Sequence, residues 1–156
     1  MRTFTHGIGA LLFASALTSF TLLTSCSSSS SGTAATSAVT KTIGPEGGTI
    51  TVDGATVTFP ANAVAAPLTI TITPTTDAPP SGMVALSRVY RCEPAGTTFA
   101  QNVTMAMTFQ GDPTTATMFW STGSDPAFKD VGGVADGTTM RATVQHFSAG
   151  FVGKKP

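Results

Sequence analysis

Charge is what this chain has least of. Of its 156 residues only 10% are Asp, Glu, Lys or Arg, and eight basic residues balance eight acidic ones, against roughly a quarter charged in an ordinary soluble domain. No net field gathers phosphates or anionic lipids, so electrostatically driven nucleic-acid binding is excluded. His6 and Cys26 precede the strand-patterned part of the chain, which holds one His and one Cys, too few for a zinc site of three or four N/S ligands. Six Asp and two Glu lie scattered along the chain without the dense carboxylate spacing of a calcium loop. Neither a metal nor a cofactor is therefore expected. Gly44, Gly47 and Gly48 come close together, but no Lys-bearing helix start follows to make a phosphate cradle. Polarity comes instead from hydroxyls, with 29 Thr beside 16 Gly and 10 Pro. Thr favours strands and Gly and Pro favour turns, while the length suits one domain.

The chain opens with Arg2, then a largely apolar stretch from Ile8 to Leu23, then small residues. That order predicts a secretory signal peptide. The stretch is 16 residues with Ser and Thr inside it, short of the roughly 20 apolar residues of a membrane span. Leu23-Thr24-Ser25-Cys26 resembles the lipobox of bacterial lipoproteins. The resemblance implies cleavage between Ser25 and Cys26 and lipidation, palmitate included, of Cys26 as the new N-terminus. Several acyl chains on one residue anchor stably, because each buried methylene adds about 0.8 kcal/mol. Membrane attachment through lipid on Cys26 is thus expected, in an exported cell envelope. Ser27 is not the Asp that retains such proteins at the inner membrane, which favours the outer membrane. The serine run from Ser27 to Ser31 continues into small residues and predicts a flexible tether over 26–38. With residues 1–25 removed, seven basic residues face eight acidic ones. Lipid on Cys26 leaves Cys92 single, within Tyr90-Arg91-Cys92-Glu93, a strand pattern that predicts a small buried thiol.

From Val39 onward the hydrophobic period is two. Leu68, Ile70 and Ile72 alternate with Thr69, Thr71 and Thr73, and Val103, Met105, Met107 and Phe109 alternate with Thr104, Ala106 and Thr108. Val57 and Phe59, then Met118 and Trp120, repeat the pattern less strictly. One apolar and one hydroxyl face mark antiparallel sheets. Asp53-Gly54 and Asp136-Gly137 supply hairpin turns, and Asp112-Pro113 and Asp125-Pro126 interrupt pairing. The prediction is an all-β antiparallel β-sandwich of about eight or nine short strands, near 39–43, 48–52, 55–59, 67–74, 84–93, 102–109, 115–121, 127–131 and 138–152, with a helical turn possible only at 60–66. The folded domain is expected over 39–152, followed by a short tail at 153–156.

Four segments then carry a family resemblance: Ile43-Gly44-Pro45-Glu46-Gly47-Gly48, Val57-Thr58-Phe59-Pro60-Ala61-Asn62-Ala63, the stretch from Tyr90 to Phe99, and His146-Phe147-Ser148. In this order they resemble the ZU-five domain, a β-sandwich module of ankyrins, netrin receptors and tight-junction scaffolds with copies in bacterial lipoproteins. Ala100-Gln101-Asn102-Val103 departs from it, lacking the Pro usual before that Val. The resemblance implies a β-sandwich used for protein–protein contact, hence a protein partner. In some relatives the His-Phe-Ser tripeptide cleaves itself: the His takes the Ser hydroxyl proton, the Ser attacks the preceding carbonyl, and water hydrolyses the ester. His146 would be the base and Ser148 the nucleophile. Such chemistry also needs a strained peptide bond and an oxyanion donor.

The expected function is thus a lipid-anchored, non-enzymatic interaction module. A rival is carbohydrate or cell-wall binding, which needs exposed aromatics, the candidates being Tyr90, Phe119 and Trp120. A second rival is self-cleavage between Phe147 and Ser148. A carboxylate pair such as Glu46 and Glu93 is the kind glycosidase work needs, and nothing in the sequence brings them together. Asn102-Val103-Thr104 has the form of a glycosylation acceptor, placed on a strand.

Overall fold

A computed structural model describes residues 37–122 and 127–155. The signal-peptide stretch 1–25, Cys26, its tether up to residue 36 and Asp125-Pro126 lie outside them. The described residues hold eleven strands: β1 (Val39–Ile43), β2 (Gly48–Val52), β3 (Ala55–Phe59), β4 (Leu68–Pro74), β5 (Tyr90–Glu93), β6 (Thr98–Thr108), β7 (Ala116–Ser121), β8 (Phe128–Gly132), β9 (Val134–Asp136), β10 (Thr139–His146) and β11 (Ala149–Lys154). They form a six-stranded sheet in the order β1-β4-β5-β11-β7-β8 and a five-stranded sheet in the order β2-β3-β6-β10-β9. Every pairing is antiparallel, as two-faced alternation requires. This is the predicted β-sandwich. Residues 61–66 form turns and bends rather than a helical turn.

The inner faces follow the sequence pattern. Ile50, Val57, Ile70, Ile72, Val103, Met105 and Met107 are buried between the sheets, and apolar burial of this kind contributes about 25 cal/mol per Å² removed from water. The alternate threonines stand outside. Thr40 and Thr71 share a hydroxyl hydrogen bond of 2.8 Å across β1 and β4, and Thr42 and Thr69 one of 3.2 Å. Thr49, Thr58, Thr104 and Thr143 occupy successive paired positions across β2, β3, β6 and β10, so one row of hydroxyls crosses that sheet.

Three expectations are corrected. The run 84–93 is not one strand. Leu86 and Ser87 both donate their N–H to the Val152 carbonyl, at 2.7 and 3.1 Å, while Ser87 Oγ accepts from Val152 N–H at 2.8 Å. Two residues facing one make a bulge-like break, so only Ala85, bridged to Gly153, and β5 pair with β11. The segment 75–89 instead straps the outer face of the six-stranded sheet. Met83, Ala85 and Val89 there pack on Phe119 and Phe151, whose rings stack at 5.4 Å. This explains why all six residues of β7 are buried and its alternation is weak: the sheet is covered on both faces. The run 138–152 is likewise two strands, β10 and β11, in different sheets. Finally, β9 is an additional three-residue strand closing a two-residue hairpin, where Gly137 has a φ of 57°.

Gly150 shows how tight the inner packing is. It pairs with Trp120 across β11 and β7, and a methyl added there runs into the Trp120 ring. Gly150→Ala is expected to destabilise the fold by about 1–3 kcal/mol, the usual cost of overpacking a core, measured as a lower urea midpoint with an unchanged m-value.

Candidate functional site

The sharpest chemical constellation, His146-Phe147-Ser148, lies where the chain leaves the five-stranded sheet for the six-stranded one. β10 breaks register with β6 between Val144 and His146, and after Phe147 and Ser148 β11 begins in the opposite sheet. Phe147 drives the crossing. It is fully buried, edge-on to Phe99 at 4.7 Å and to Phe59 at 5.8 Å, and Phe59 and Phe99 meet each other at 5.7 Å. Phe59 and Phe99 thereby both fill the core.

The backbone around that ring is held on all sides. Phe147 N–H donates to the Thr97 carbonyl at 2.8 Å, and the Phe147 carbonyl accepts from Gly96 N–H at 2.8 Å. The Ser148 carbonyl accepts from Cys92 N–H at 2.8 Å. Trp120, on the facing sheet, donates its indole N–H to the His146 carbonyl at 3.1 Å.

Ser121 anchors both chemistry-bearing side chains. His146 Nε2 lies 3.1 Å from its carbonyl, which can only accept, so Nε2 carries the proton and Nδ1 is the ring atom left to act as acceptor. The Ser121 and Ser148 hydroxyls share a buried hydrogen bond of 2.8 Å. The structure thus brings together the base, the nucleophile and an N–H on the carbonyl to be attacked, but it gives the Ser148 hydroxyl to Ser121 rather than to His146. Among the described residues, the only non-glycine with positive φ is Asn62, far along the chain from the tripeptide. Gly96 as an oxyanion-type donor was not legible in the sequence; the only signal was its place in the Pro94–Thr97 turn, where it takes a φ of 79°.

Beside Ser148 opens a groove of about 460 Å³, lined among others by Asp77, Arg91, Ser121, Phe128 and Ala149. Arg91 holds Asp77 at 2.8 Å, and this charge-assisted bond keeps the Asp77 carboxyl below its ordinary pKa. Glu93 borders the same groove. Glu46 sits in the Gly44–Gly47 turn leading into β2, with its carboxylate beside Gly44, and does not line it, so the structure does not bring the Glu pair to one site. Asn102 lies exposed on β6. Among the described residues no group of His, Cys, Asp and Glu could hold a metal ion.

The aromatics proposed for sugar stacking are all in the interior. Tyr90, Phe119 and Trp120 are each less than 5% exposed, with the Tyr90 hydroxyl donating to the Asp53 carbonyl at 2.9 Å. No stacking platform is built from them. Cys92, also expected to be buried, faces the core, and burial pushes its thiol up to about 12. Iodoacetamide at pH 8 should leave Cys92 unmodified in the folded chain and alkylate it fully in denaturant, as read by peptide mass. The neutral thiol also sets a sign: its stabilisation is complete below the unfolded thiol's pKa and is lost as pH rises toward 12.

The family model of the ZU5 domain matches residues 39–121, the module whose segments the sequence resembles. The matched span stops short of His146. No curated protein matches the chain.

Proposed function

The chain belongs to the ZU5 domain family, and from that premise we propose that it is a non-enzymatic protein-interaction module held at the cell envelope by lipid on Cys26. The family match is the observation that carries the interaction reading. Sequence alone supports the anchor: Arg2, the apolar stretch to Leu23, the Leu23–Cys26 tetrapeptide and a serine tether. The neutral balance of charge supports a partner recognised by shape and backbone hydrogen bonding rather than by strong fields. The outer membrane is the favoured destination because Ser27 follows the cysteine.

The anchor is tested by feeding labelled palmitate to cells making the chain. Label is expected in the wild type and absent from Cys26→Ala, which should partition into the aqueous phase; an unlabelled wild type removes the anchor and the localisation with it.

One observation favours self-cleavage as a second reading: Gly96 N–H already sits on the carbonyl of the Phe147–Ser148 bond. Against it stand the Ser148 hydroxyl bonded to Ser121 and a fully buried Phe147. These supply no base-to-nucleophile bond for the first proton transfer. Intact mass after long incubation decides between the readings: a single chain through Pro156 is expected, whereas a fragment beginning at Ser148 that is lost in Ser148→Ala establishes cleavage.

A further inference from the structure

β9 is too short to cover the strand it pairs with. It lies against Thr139, Met140 and Arg141 of β10 and stops with Val134 opposite Arg141. Before Val134 the chain turns away through Gly132 and Gly133, with φ of 74° and 136°, into β8 of the other sheet. β10 continues to His146 without a neighbour on that side among the described residues.

The direction of its backbone groups follows from the ladder. Phe109 N–H donates to the Thr138 carbonyl at 2.9 Å, which makes the even-numbered residues of β10 the ones bonded to β6. In an antiparallel pair the groups of the alternate residues point the opposite way. The N–H and C=O of Thr143 therefore project from the free edge, and Gln145, also exposed, follows at the register break. Below this edge, between β10 and β8, lies a cleft of about 310 Å³ lined by Trp120, Val131, Val144 and His146 among others. Val131, which lines it at 41% exposure, and Val134, at the end of β9 at 73%, are two of the three large apolar residues exposed among the described residues. Arg141 is exposed beside the edge. The ion pairs formed among the described residues are Arg88–Asp53 and Arg91–Asp77, so Arg141 has no carboxylate partner there.

We infer that the free edge of β10 from Ala142 to His146 accepts an extended peptide segment of a partner protein, which adds a strand in line with β9. The inference rests on the interaction-module reading above and names where and how that module binds. Backbone hydrogen bonds to Thr143 give the strand its place. Side chains on one face of the added strand enter the cleft over Trp120 and Val144 and cover Val131, so that face is apolar. Side chains on the other face stand beside Thr143, within diagonal reach of Arg141, so a carboxylate belongs there. Unpaired strand edges flanked by apolar side chains are the sites at which extended chains add to sheets.

The test pans a random library of nine-residue peptides on the full chain in detergent micelles. The selected peptides are expected to alternate apolar residues with polar ones that include Asp or Glu, and to lose binding when alternate backbone amides are N-methylated. Thr143→Pro removes an N–H that β6 does not use, in a position where an edge tolerates proline, and should weaken binding about tenfold or more, the loss of one or two hydrogen bonds with steric exclusion. Val131→Asp, an exposed change that spares the ladder, should weaken the same peptides comparably, so the result does not depend on Thr143→Pro folding. Arg141→Ala should reduce binding of the acidic peptides and flatten its salt dependence. Peptides that bind both Thr143→Pro and Val131→Asp as well as wild type overturn the edge while leaving an interaction module. Recovery of no binding peptide overturns both.

Discussion

A buried indole needs an acceptor, and most of this structure can be read from how that need is met. Trp120 is in the core, 2% exposed, on β7, an interior strand of the six-stranded sheet. Leaving its N–H unpaired there would cost about 1–3 kcal/mol. The acceptor is the His146 carbonyl on the facing sheet, so that carbonyl is turned toward the other sheet at the point where β10 loses register with β6. The chain is then free to cross, Phe147 fills the core between Phe59 and Phe99, and Gly150 passes under the same indole ring. The hydrogen bond, the sheet change and the glycine are one arrangement.

That arrangement gives His146-Phe147-Ser148 a structural role independent of any chemistry. Every member is tied to other parts of the fold: His146 to β7 through Ser121 and Trp120, Phe147 to the Thr97 and Gly96 backbone, Ser148 to Cys92 on β5 and to Ser121. A hydroxyl buried at 6% exposure must have a partner, and the Ser121 hydroxyl provides one without involving the imidazole. The parts that a cleaving relative would use for catalysis are here the parts that close the corner.

What the sequence disclosed and what it hid divide along one physical line. Where a strand has one dry face and one wet one, as in β1 to β4, β6 and the first part of β10, alternation of Thr with Ile, Val or Met located it within a residue or a few. Where a strand is covered on both sides, alternation vanishes. β7 reads Ala-Thr-Met-Phe-Trp-Ser with every residue buried, because the strap at 75–89 covers Phe119 from outside, and nothing in the composition of its last part, Val84 to Val89, distinguishes a covering loop from a strand. The burial of Cys92 was legible because it sits on a strand with alternating neighbours. Gly96, whose N–H reaches the Phe147 carbonyl, was not, since a backbone donor leaves no residue-type signature.

The same covering explains why the two edges of the sandwich differ. On one side β1 and β2 are full-length strands joined through the Gly44–Gly47 turn, and Lys41 on β1 reaches across to donate to the Thr49 carbonyl at 2.9 Å, the kind of charge that discourages further pairing. On the other side the Gly132-Gly133 corner joins β8 directly to the three-residue β9, so the five-stranded sheet finishes on a short strand, with Val131 and Val134 facing outward. A chain with so few charges protects an edge only where it spends one. Lys41 guards the first side. The second carries Lys129, Asp130 and Arg141, with Asp130 held by Thr117 and the Gly132 N–H, and the stretch of β10 beyond β9 keeps its backbone groups open to an incoming strand.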